Sequence, residues 1–313
     1  MQCISFWNKC NNRCLMCSNP ADFETAERFN KSVSFEELIL RFQKIDPREK
    51  EIYLTGGEPT LHPQFFELLT ILRKRCPGAK FIIDTNARML FYRDFLEECL
   101  NYGKIEFQVS LCGHTAFLHD KITRTKGSFN QTVGGIKNLL SLRSKKNEVE
   151  IRVVIHKLTL PHLNDVYDFV FGDFFQPYSK KSISGIERLI FIFMEMEGRA
   201  GDNIKEVGIT HTQAKPYLEE LFSKIKNAPF EIRLYHFPLC ALSPKLWSFI
   251  WRTLPEREIT FLPQCQTCSF QKHCLGIHKD YLKYIGDKEF QPIKEQIKIK
   301  ETNNFYHPIA KAI

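Results

Sequence analysis

Three cysteines near the start of the chain have the spacing of a metal-binding loop. Cys10, Cys14 and Cys17 form a C-x3-C-x2-C pattern among polar neighbours, directly after a short apolar run. Clustered thiolates bind zinc or iron–sulfur clusters. A closed zinc site needs four ligands, and no fourth Cys or His follows nearby. Three cysteines on a [4Fe–4S] cluster leave one iron open to a ligand, so we favour the cluster over zinc.

Two further features could do chemistry. Gly56-Gly57-Glu58-Pro59 follows a second apolar run; its glycines allow close approach of backbone, although by itself the sequence is typical of an ordinary turn. The second feature is a late cysteine set with C-x2-C-x5-C spacing and one cysteine upstream: Cys265, Cys268, Cys274 and Cys240. A zinc ribbon is the rival for this set, but ribbons usually show two C-x2-C pairs and this chain has one.

The first cysteine motif and Gly56-Gly57-Glu58-Pro59, at the ends of successive predicted strands, resemble the radical S-adenosylmethionine (SAM) superfamily. The resemblance covers residues 1 to about 200 in order and spacing. Met16 stands where the family usually has an aromatic residue near the adenine, and an adaptable apolar side chain can fill that place. The resemblance implies a cytoplasmic enzyme that cleaves SAM reductively at a [4Fe–4S] cluster to a 5′-deoxyadenosyl radical, which abstracts hydrogen from a substrate.

The resemblance also implies a SAM pocket at the strand ends. Glu58 would accept a charge-assisted hydrogen bond from the SAM ammonium, and Arg152 would meet its carboxylate. The expected SAM-binding residues are Met16, Gly56, Gly57, Glu58, Pro59, Thr85, Asn86, Ser110 and Arg152. Glu195 and Glu197 close the sixth strand, where a barrel site would lie. Cys112 is a candidate catalytic thiol on the face of Ser110, with packing as the alternative role.

The late cysteine set resembles the SPASM and shorter twitch domains, which carry auxiliary [4Fe–4S] clusters; its four cysteines match one fully ligated cluster. Nearby stretches are most similar to the radical SAM maturase of the His-Xaa-Ser peptide system: residues 193–198, 237–240, 262–265 and 292–293. That similarity implies a ribosomally made peptide substrate, a leader-binding partner protein, and a flavodoxin- or ferredoxin-type electron donor. The alternatives are a small-molecule radical SAM dehydrogenase or epimerase and a non-catalytic zinc-binding interaction protein.

The predicted elements that position these residues alternate between strands and helices, as in parallel α/β proteins. Strands are expected at residues 3–8, 51–55, 80–85, 106–111, 149–156 and 189–196, with helices near 129–142, 164–175 and 213–226. A helix is also expected from about Phe35, where Ser34 and Glu37 have capping-box spacing. After residue 228 we expect a strand-like run at 230–236 and a Trp-rich helix. Six βα units predict a partial (βα)6 TIM-like barrel, and a flat doubly wound sheet is the alternative. We expect a radical SAM core over 1–228, an auxiliary cluster domain over 229–293, and a mobile tail over 294–313.

Composition sets the remaining expectations. The 313 residues lack any apolar run of about 18 residues and start with a strand rather than a signal peptide, which favours a cytosolic protein with reduced thiols and no membrane partner. In such a protein eleven clustered cysteines indicate metal binding or catalysis. The net charge of +8 is moderate and lacks a Lys/Arg block, so a nucleic-acid partner is not expected. We expect the leftover Cys3, Cys76 and Cys99 to be small buried hydrophobes.

Overall fold

The structure is a computed structural model that describes residues 2–179, 185–225 and 227–312. An eight-stranded sheet runs in the order β1 to β8, so that strands adjacent in sequence are adjacent in the sheet. Neighbours from β1 to β5 pair in parallel, and so do β7 and β8. Its strands are β1 (Gln2–Trp7), β2 (Glu51–Gly56), β3 (Lys80–Thr85), β4 (Ile105–Ser110), β5 (Asn147–Ile155), β6 (Arg188–Phe193), β7 (Glu231–Tyr235) and β8 (Ile250–Trp251).

Helices follow the strands as the sequence predicts, and the six expected strands are confirmed. The helices are α1 (Glu27–Ser32), α2 (Phe35–Gln43), α3 (Phe65–Arg75), α4 (Arg93–Leu100), α5 (Ala116–Thr123), α6 (Ser128–Leu142), α7 (Leu163–Val170), α8 (Gly198–Asp202), α9 (Ile204–Val207), α10 (His211–Lys224) and α11 (Lys279–Tyr284). The helix expected near 164–175 ends at Val170 and continues as a π turn. The end expected at Lys226 lies outside the described residues.

The chain divides into two compact units. The first contains Met1–Cys14, Asn19–Arg152 and Tyr167–Arg188. Successive side chains on its strands point to opposite faces of the sheet, and the two faces carry different kinds of side chain. One set is apolar and fully buried, as at Ile52, Phe81 and Phe107. The alternate set is polar and also buried: Glu106, Gln108 and Glu150. The first unit therefore has an apolar core on one side of the sheet and a polar interior on the other.

The polar interior of the first unit is held together by ion pairs. Arg188 Nε donates to Glu150 Oε2 at 2.7 Å, and Lys80 Nζ donates to Glu106 Oε2 at 2.7 Å. Burial alone would raise the pKa of Glu106, but Arg188 and Lys80 outweigh it and hold the pKa at about 2. The Glu106 carboxylate is therefore ionised and paired, as a buried charge must be.

The second unit contains Leu15–Ser18, Val153–Val166 and Leu189–Ile313. Its core includes Trp247, whose Nε1 donates to Leu239 O at 3.0 Å. The Trp-containing segment, expected as an α-helix, is a 3₁₀ helix at Pro244–Phe249, because Pro244 starts it and β8 ends it. Two further short strands, β9 (Ile259–Thr260) and β10 (Ile277–His278), pair with each other.

The last segment of the second unit is structured. Strand β11 (Ile299–Glu301) pairs antiparallel with β12 (Ile309–Ala312), and Ile309 is buried. His307 stacks on Trp251 with ring centroids 4.6 Å apart. The described residues of the expected tail thus include two short paired strands and one aromatic contact. Outside this segment, Cys76 and Cys99 are buried as expected, whereas Cys3 is exposed near the start of β1.

No helix in the described part of the chain has the length and apolarity needed to cross a bilayer.

Candidate active site

The loop after β1 carries the first cysteine motif and is fixed by hydrogen bonds from its polar residues. Asn8 Nδ2 donates to Phe23 O at 3.0 Å, and the Arg13 N–H donates to Thr123 O at 2.9 Å. Cys10 Sγ accepts the Asn12 N–H at 3.4 Å. Cys10 and Cys14 are both half-buried. The protein therefore shapes this part of the loop through its own contacts.

The four residues 15–18 belong to the second unit. There, Leu15 O accepts a hydrogen bond from Asn203 Nδ2 at 3.0 Å, and Cys17 O accepts the Ala200 N–H at 3.0 Å. Met16 and Cys17 are half-buried. The backbone that bears Met16 and Cys17 is therefore anchored to α8 and to the residue that follows it.

The glycines of Gly56-Gly57-Glu58-Pro59 are required by the cysteine loop itself. Gly56 has φ +139°, and a Cβ there would lie 2.0 Å from Trp7 O. A Cβ on Gly57 would lie 2.5 Å from Lys9 O. The Gly57 N–H donates to Trp7 O at 2.7 Å and the Glu58 N–H to Lys9 O at 2.8 Å. Two backbone segments thus run in contact, and only glycine leaves room for them.

Gly56→Ala is expected to destabilise the chain strongly, because both the positive φ and the backbone oxygen 2.0 Å away exclude a methyl group. The matched control is Gly78→Ala, where no atom lies within 4 Å of the added Cβ. Melting of the metal-free chains followed by circular dichroism compares the two. A Gly56→Ala chain that melts like Gly78→Ala would contradict the close packing described here.

The Glu58 side chain is buried and joins two loops. Its carboxylate is 1% exposed and accepts four hydrogen bonds. Oε1 accepts from Thr60 N–H (3.2 Å), Thr60 Oγ1 (2.5 Å) and Thr85 Oγ1 (2.7 Å), and Oε2 accepts from Asn86 N–H (2.7 Å). Burial raises the pKa of this carboxyl, while the four donors oppose the shift. Glu58 therefore ties the Gly-Gly-Glu-Pro turn to the end of β3.

Arg88 supports the cysteine loop, which the sequence did not reveal. Its guanidinium donates to Asn11 O and, at 2.8 Å, to Asn12 Oδ1. Its Nε donates to Gln131 Oε1 at 2.7 Å. The signal that could have identified it is Asn12, a buried polar side chain that needs a partner.

Arg152 lies on β5 opposite Ser110 of β4. Its Nε donates to Glu150 Oε1 at 2.7 Å, and its Nη1 donates to Tyr53 Oη at 2.8 Å. Burial alone would lower the pKa of Arg152, but Tyr53, Glu150 and Asp84 raise it. Two of its five N–H groups are used in these bonds, so three can serve a carboxylate.

Cys112 lies beyond the end of β4, which stops at Ser110. The strand alternation that would place its thiol on the face of Ser110 therefore does not extend to it. Its side chain is 4% exposed, and its N–H donates to His119 Nδ1 at 3.3 Å. Burial lowers the pKa of His119 to about 4, so this imidazole is neutral at pH 7.

Glu195 and Glu197 follow β6 in the second unit, and each pairs with a histidine that the sequence did not connect to it. Glu195 Oε1 lies 3.5 Å from His236 Nδ1, and Glu197 Oε1 lies 3.0 Å from His278 Nε2. The hydrogen bond to His278 lowers the pKa of Glu197. Asp280 places its ligand atom within 4.8 Å of those of Glu197 and His278. No sequence spacing could have revealed this grouping, since its members come from separate elements.

The four late cysteines line one small cavity in the second unit. The cavity also includes residues from two of the stretches noted in the sequence, namely Pro238, Leu239, Pro292 and Ile293. Cys274 Sγ accepts the N–H groups of Leu239 (3.5 Å) and Gly276 (3.4 Å).

The four thiols of this cavity are Cys240, Cys265, Cys268 and Cys274, and no disulfide joins them. Burial raises the pKa of the Cys240 thiol to about 12, with the neighbouring thiols adding to the shift. Four converging thiols in apolar surroundings fit a metal centre, whose positive charge stabilises thiolates. The donor set is all sulfur, which suits an iron–sulfur cluster and also zinc.

The sequence of this chain is similar to a known protein family and to a known enzyme. The family model described as Radical SAM superfamily matches residues 4–170, just over half of the chain. The GTP 3',8-cyclase of Campylobacter jejuni subsp. doylei is 28% identical over 235 residues, which cover 73% of this chain and 67% of the cyclase.

Two solved structures share the fold. Streptococcus suis SuiB matches with a TM-score of 0.52 and 17% identity, over 74% of this chain and 48% of SuiB. Native anSMEcpe with bound AdoMet and Kp18Cys peptide matches with a TM-score of 0.50 and 20% identity, over 71% of this chain and 59% of that one. This chain thus spans about half the length of SuiB. The predicted α/β class with a partial TIM-like barrel is confirmed, with eight strands in the sheet where six were expected.

Proposed function

The chain belongs to the radical SAM superfamily, and from this premise we propose which of its residues hold the cofactors and what it acts on. Membership makes the protein a radical SAM enzyme that uses SAM and a [4Fe–4S] cluster, and it argues against a non-catalytic zinc protein. When bound, the reduced cluster and SAM supply a 5′-deoxyadenosyl radical that abstracts hydrogen from the substrate. A flavodoxin- or ferredoxin-type protein is the proposed electron donor, and the cytoplasm is the proposed location.

We propose that Cys10, Cys14 and Cys17 ligate the cluster that binds SAM. Parallel strands end at the same edge of a sheet. Gly56, Thr85 and Ser110 are the last residues of β2, β3 and β4, and Arg152 of β5 pairs with Ser110. Arg152 supports this assignment best, because three of its N–H groups can orient a carboxylate. The proposed SAM-binding residues are Met16, Gly56, Gly57, Glu58, Pro59, Thr85, Ser110 and Arg152. Asn86, also expected to bind SAM, has hydrogen bonds that favour a role in the cysteine loop instead, argued below.

We propose that the second unit holds an auxiliary [4Fe–4S] cluster on Cys240, Cys265, Cys268 and Cys274. The observation that supports it is the convergence of four thiols on one cavity, together with the stretches that resemble SPASM and twitch domains. Four thiolates complete the ligation of a cluster, so the substrate would not bind this iron. The backbone N–H groups of Leu239 and Gly276 would stabilise the Cys274 thiolate.

The proposed substrate is a ribosomally made peptide, modified after hydrogen abstraction, with a leader-binding partner protein where a leader is present. The resemblance to the His-Xaa-Ser maturase carries this proposal. The structural similarity to SuiB supports it, since SuiB has also been solved bound to its precursor peptide SuiA, with a TM-score of 0.50 and 16% identity. A small molecule is the second candidate, favoured by the 28% identity to GTP 3',8-cyclase.

The test is anaerobic reconstitution followed by reduction with dithionite in the presence of SAM. Formation of 5′-deoxyadenosine and methionine supports the proposed chemistry. Mass spectrometry of short peptides encoded beside the gene, each co-expressed with the enzyme, then identifies the substrate class. Incubation with GTP is the matched comparison, and turnover of GTP with no modified peptide would overturn the peptide proposal.

Cys112→Ala is expected to give the same product at the same rate, because the buried thiol lies beyond the end of β4. The alternative is a catalytic thiol that returns hydrogen to a substrate radical. The variant and the wild type are compared with the true substrate in deuterated water, and deuterium in the product is measured. Loss of deuterium incorporation in the variant alone would assign Cys112 to hydrogen transfer.

A further inference from the structure

We propose that Asn86 is a positioning residue whose side-chain N–H group fixes the Cys10 thiolate and sets the reduction potential of the cluster bound there. The inference rests on the proposed function, because Cys10 is a proposed cluster ligand. It assigns Asn86 to the protein's own loop, whereas the family resemblance implies that it contacts SAM.

The backbone of Asn86 is held from two sides. Its N–H donates to Glu58 Oε2 at 2.7 Å, and its carbonyl oxygen accepts from Thr132 Oγ1 at 2.9 Å. The residue is 9% exposed. Because Glu58 is itself saturated by donors, it acts as a fixed support for Asn86.

The side-chain amide of Asn86 has one orientation that satisfies its neighbours. Oδ1 accepts the Arg88 N–H at 3.0 Å, which leaves Nδ2 to face the cysteine loop. There, Nδ2 donates to Asn11 Oδ1 at 2.7 Å and lies 3.8 Å from Cys10 Sγ, within reach of an N–H···S bond. Oδ1 and Nδ2 thus both have partners within the protein, and little surface remains for a contact with SAM.

Cys10 Sγ therefore has two N–H donors, the Asn86 side chain at 3.8 Å and the Asn12 backbone at 3.4 Å. N–H donors to a ligand sulfur stabilise the added negative charge of a reduced cluster and raise its potential. A higher potential makes reduction of the cluster by its electron donor easier. Asn86, held in place by Glu58, thus raises the reduction potential of the cluster.

The test compares Asn86→Ala with Asn138→Ala in the full chain. Asn138 lies on α6, and its Nδ2 donates to Phe91 O at 2.9 Å, far along the chain from the cysteine loop. The potential of the cluster whose paramagnetic resonance spectrum changes on SAM addition is titrated in each protein. At a given applied potential, the ratio of reduced to oxidised cluster should be about tenfold lower in Asn86→Ala than in the wild type. For a one-electron couple this corresponds to a reduction potential lower by ~59 mV. Its SAM affinity and that of Asn138→Ala should match the wild type.

A second measurement uses the metal-free chains. Amide hydrogen exchange over residues 8–14 should be faster in Asn86→Ala than in the wild type and unchanged in Asn138→Ala, because the loop loses a support. An unchanged potential with a tenfold loss of SAM affinity would assign Asn86 to SAM and overturn the proposal. Unchanged exchange would also overturn it. Failure of the wild type to hold iron would refute the proposed cluster ligands, while the exchange result would still decide whether Asn86 positions the loop.

Discussion

A chain in which Cys10, Cys14 and Cys17 are all replaced by alanine is expected to lose SAM cleavage completely and about half of its iron. The wild type, reconstituted anaerobically, should hold about eight irons per chain, four in each cluster. The N-terminal set carries the open iron proposed to bind SAM, so the second set cannot replace it. Iron and sulfide analysis and chromatography of 5′-deoxyadenosine measure the two effects.

The matched variant replaces Cys240, Cys265, Cys268 and Cys274 with alanine. It should also lose about half of the iron, yet still produce 5′-deoxyadenosine from SAM when dithionite supplies electrons. Zinc instead of iron in the late cysteine set of anaerobically purified wild type would contradict the auxiliary cluster. Cleavage of SAM by the triple N-terminal variant would contradict the assignment of the first cluster.

Glu58→Gln is expected to destabilise the metal-free chain by about 3 kcal/mol, although the change removes no volume. Both carboxylate oxygens accept a backbone N–H, from Thr60 on Oε1 and from Asn86 on Oε2. The glutamine amide has one oxygen and one NH₂ group. In either orientation the NH₂ group faces one of these two backbone N–H groups, which then has no acceptor. A buried donor left without an acceptor costs about 1–3 kcal/mol, and the charge assistance of the remaining bonds is also lost. Thermal and urea melting measure the effect.

Glu97→Gln serves as the control, because Glu97 lies exposed on α4 and pairs with Arg93 at 2.9 Å. That change should cost less than about 0.5 kcal/mol. A metal-free Glu58→Gln chain that melts like the wild type would contradict these hydrogen bonds. Equilibrium binding of SAM tests the separate proposal that this carboxylate also binds the SAM ammonium, for which a loss of affinity of about ten- to a hundredfold is expected.

The βα elements could be predicted from the sequence because their signal is local. A run such as that of β3 is apolar and short, and Ser34 marks the start of α2, where it accepts the Glu37 N–H as expected. The strands β8, β11 and β12 were missed because two to four residues carry no periodic pattern. The run at 230–236 was identified as strand-like, but only pairing with its neighbours places it in the sheet as β7.

Only the motifs of the candidate site could be predicted from the sequence. The cysteine spacings and Gly-Gly-Glu-Pro indicate ligands and a turn, but the sequence cannot say which groups satisfy the Glu58 carboxylate. Its donors come from Thr60, Thr85 and Asn86, which are brought together by the sheet. The sequence likewise could not show the hydrogen-bond partners of Arg88, or that histidines lie beside Glu195 and Glu197. Long-range polar pairing depends on the fold and leaves little trace in local composition.

The cavity of the late cysteines has a consequence for how the protein is made. Its walls come from segments that leave the ribosome at very different times, beginning at Pro238 and ending at Ile293. The four thiols are all translated by residue 274, but the cavity that encloses them is finished only when residue 293 has emerged. During that interval the thiols are open to oxidation and to stray metal ions. Insertion of the proposed auxiliary cluster is therefore expected late in biosynthesis, on a chain whose earlier strands can already have folded.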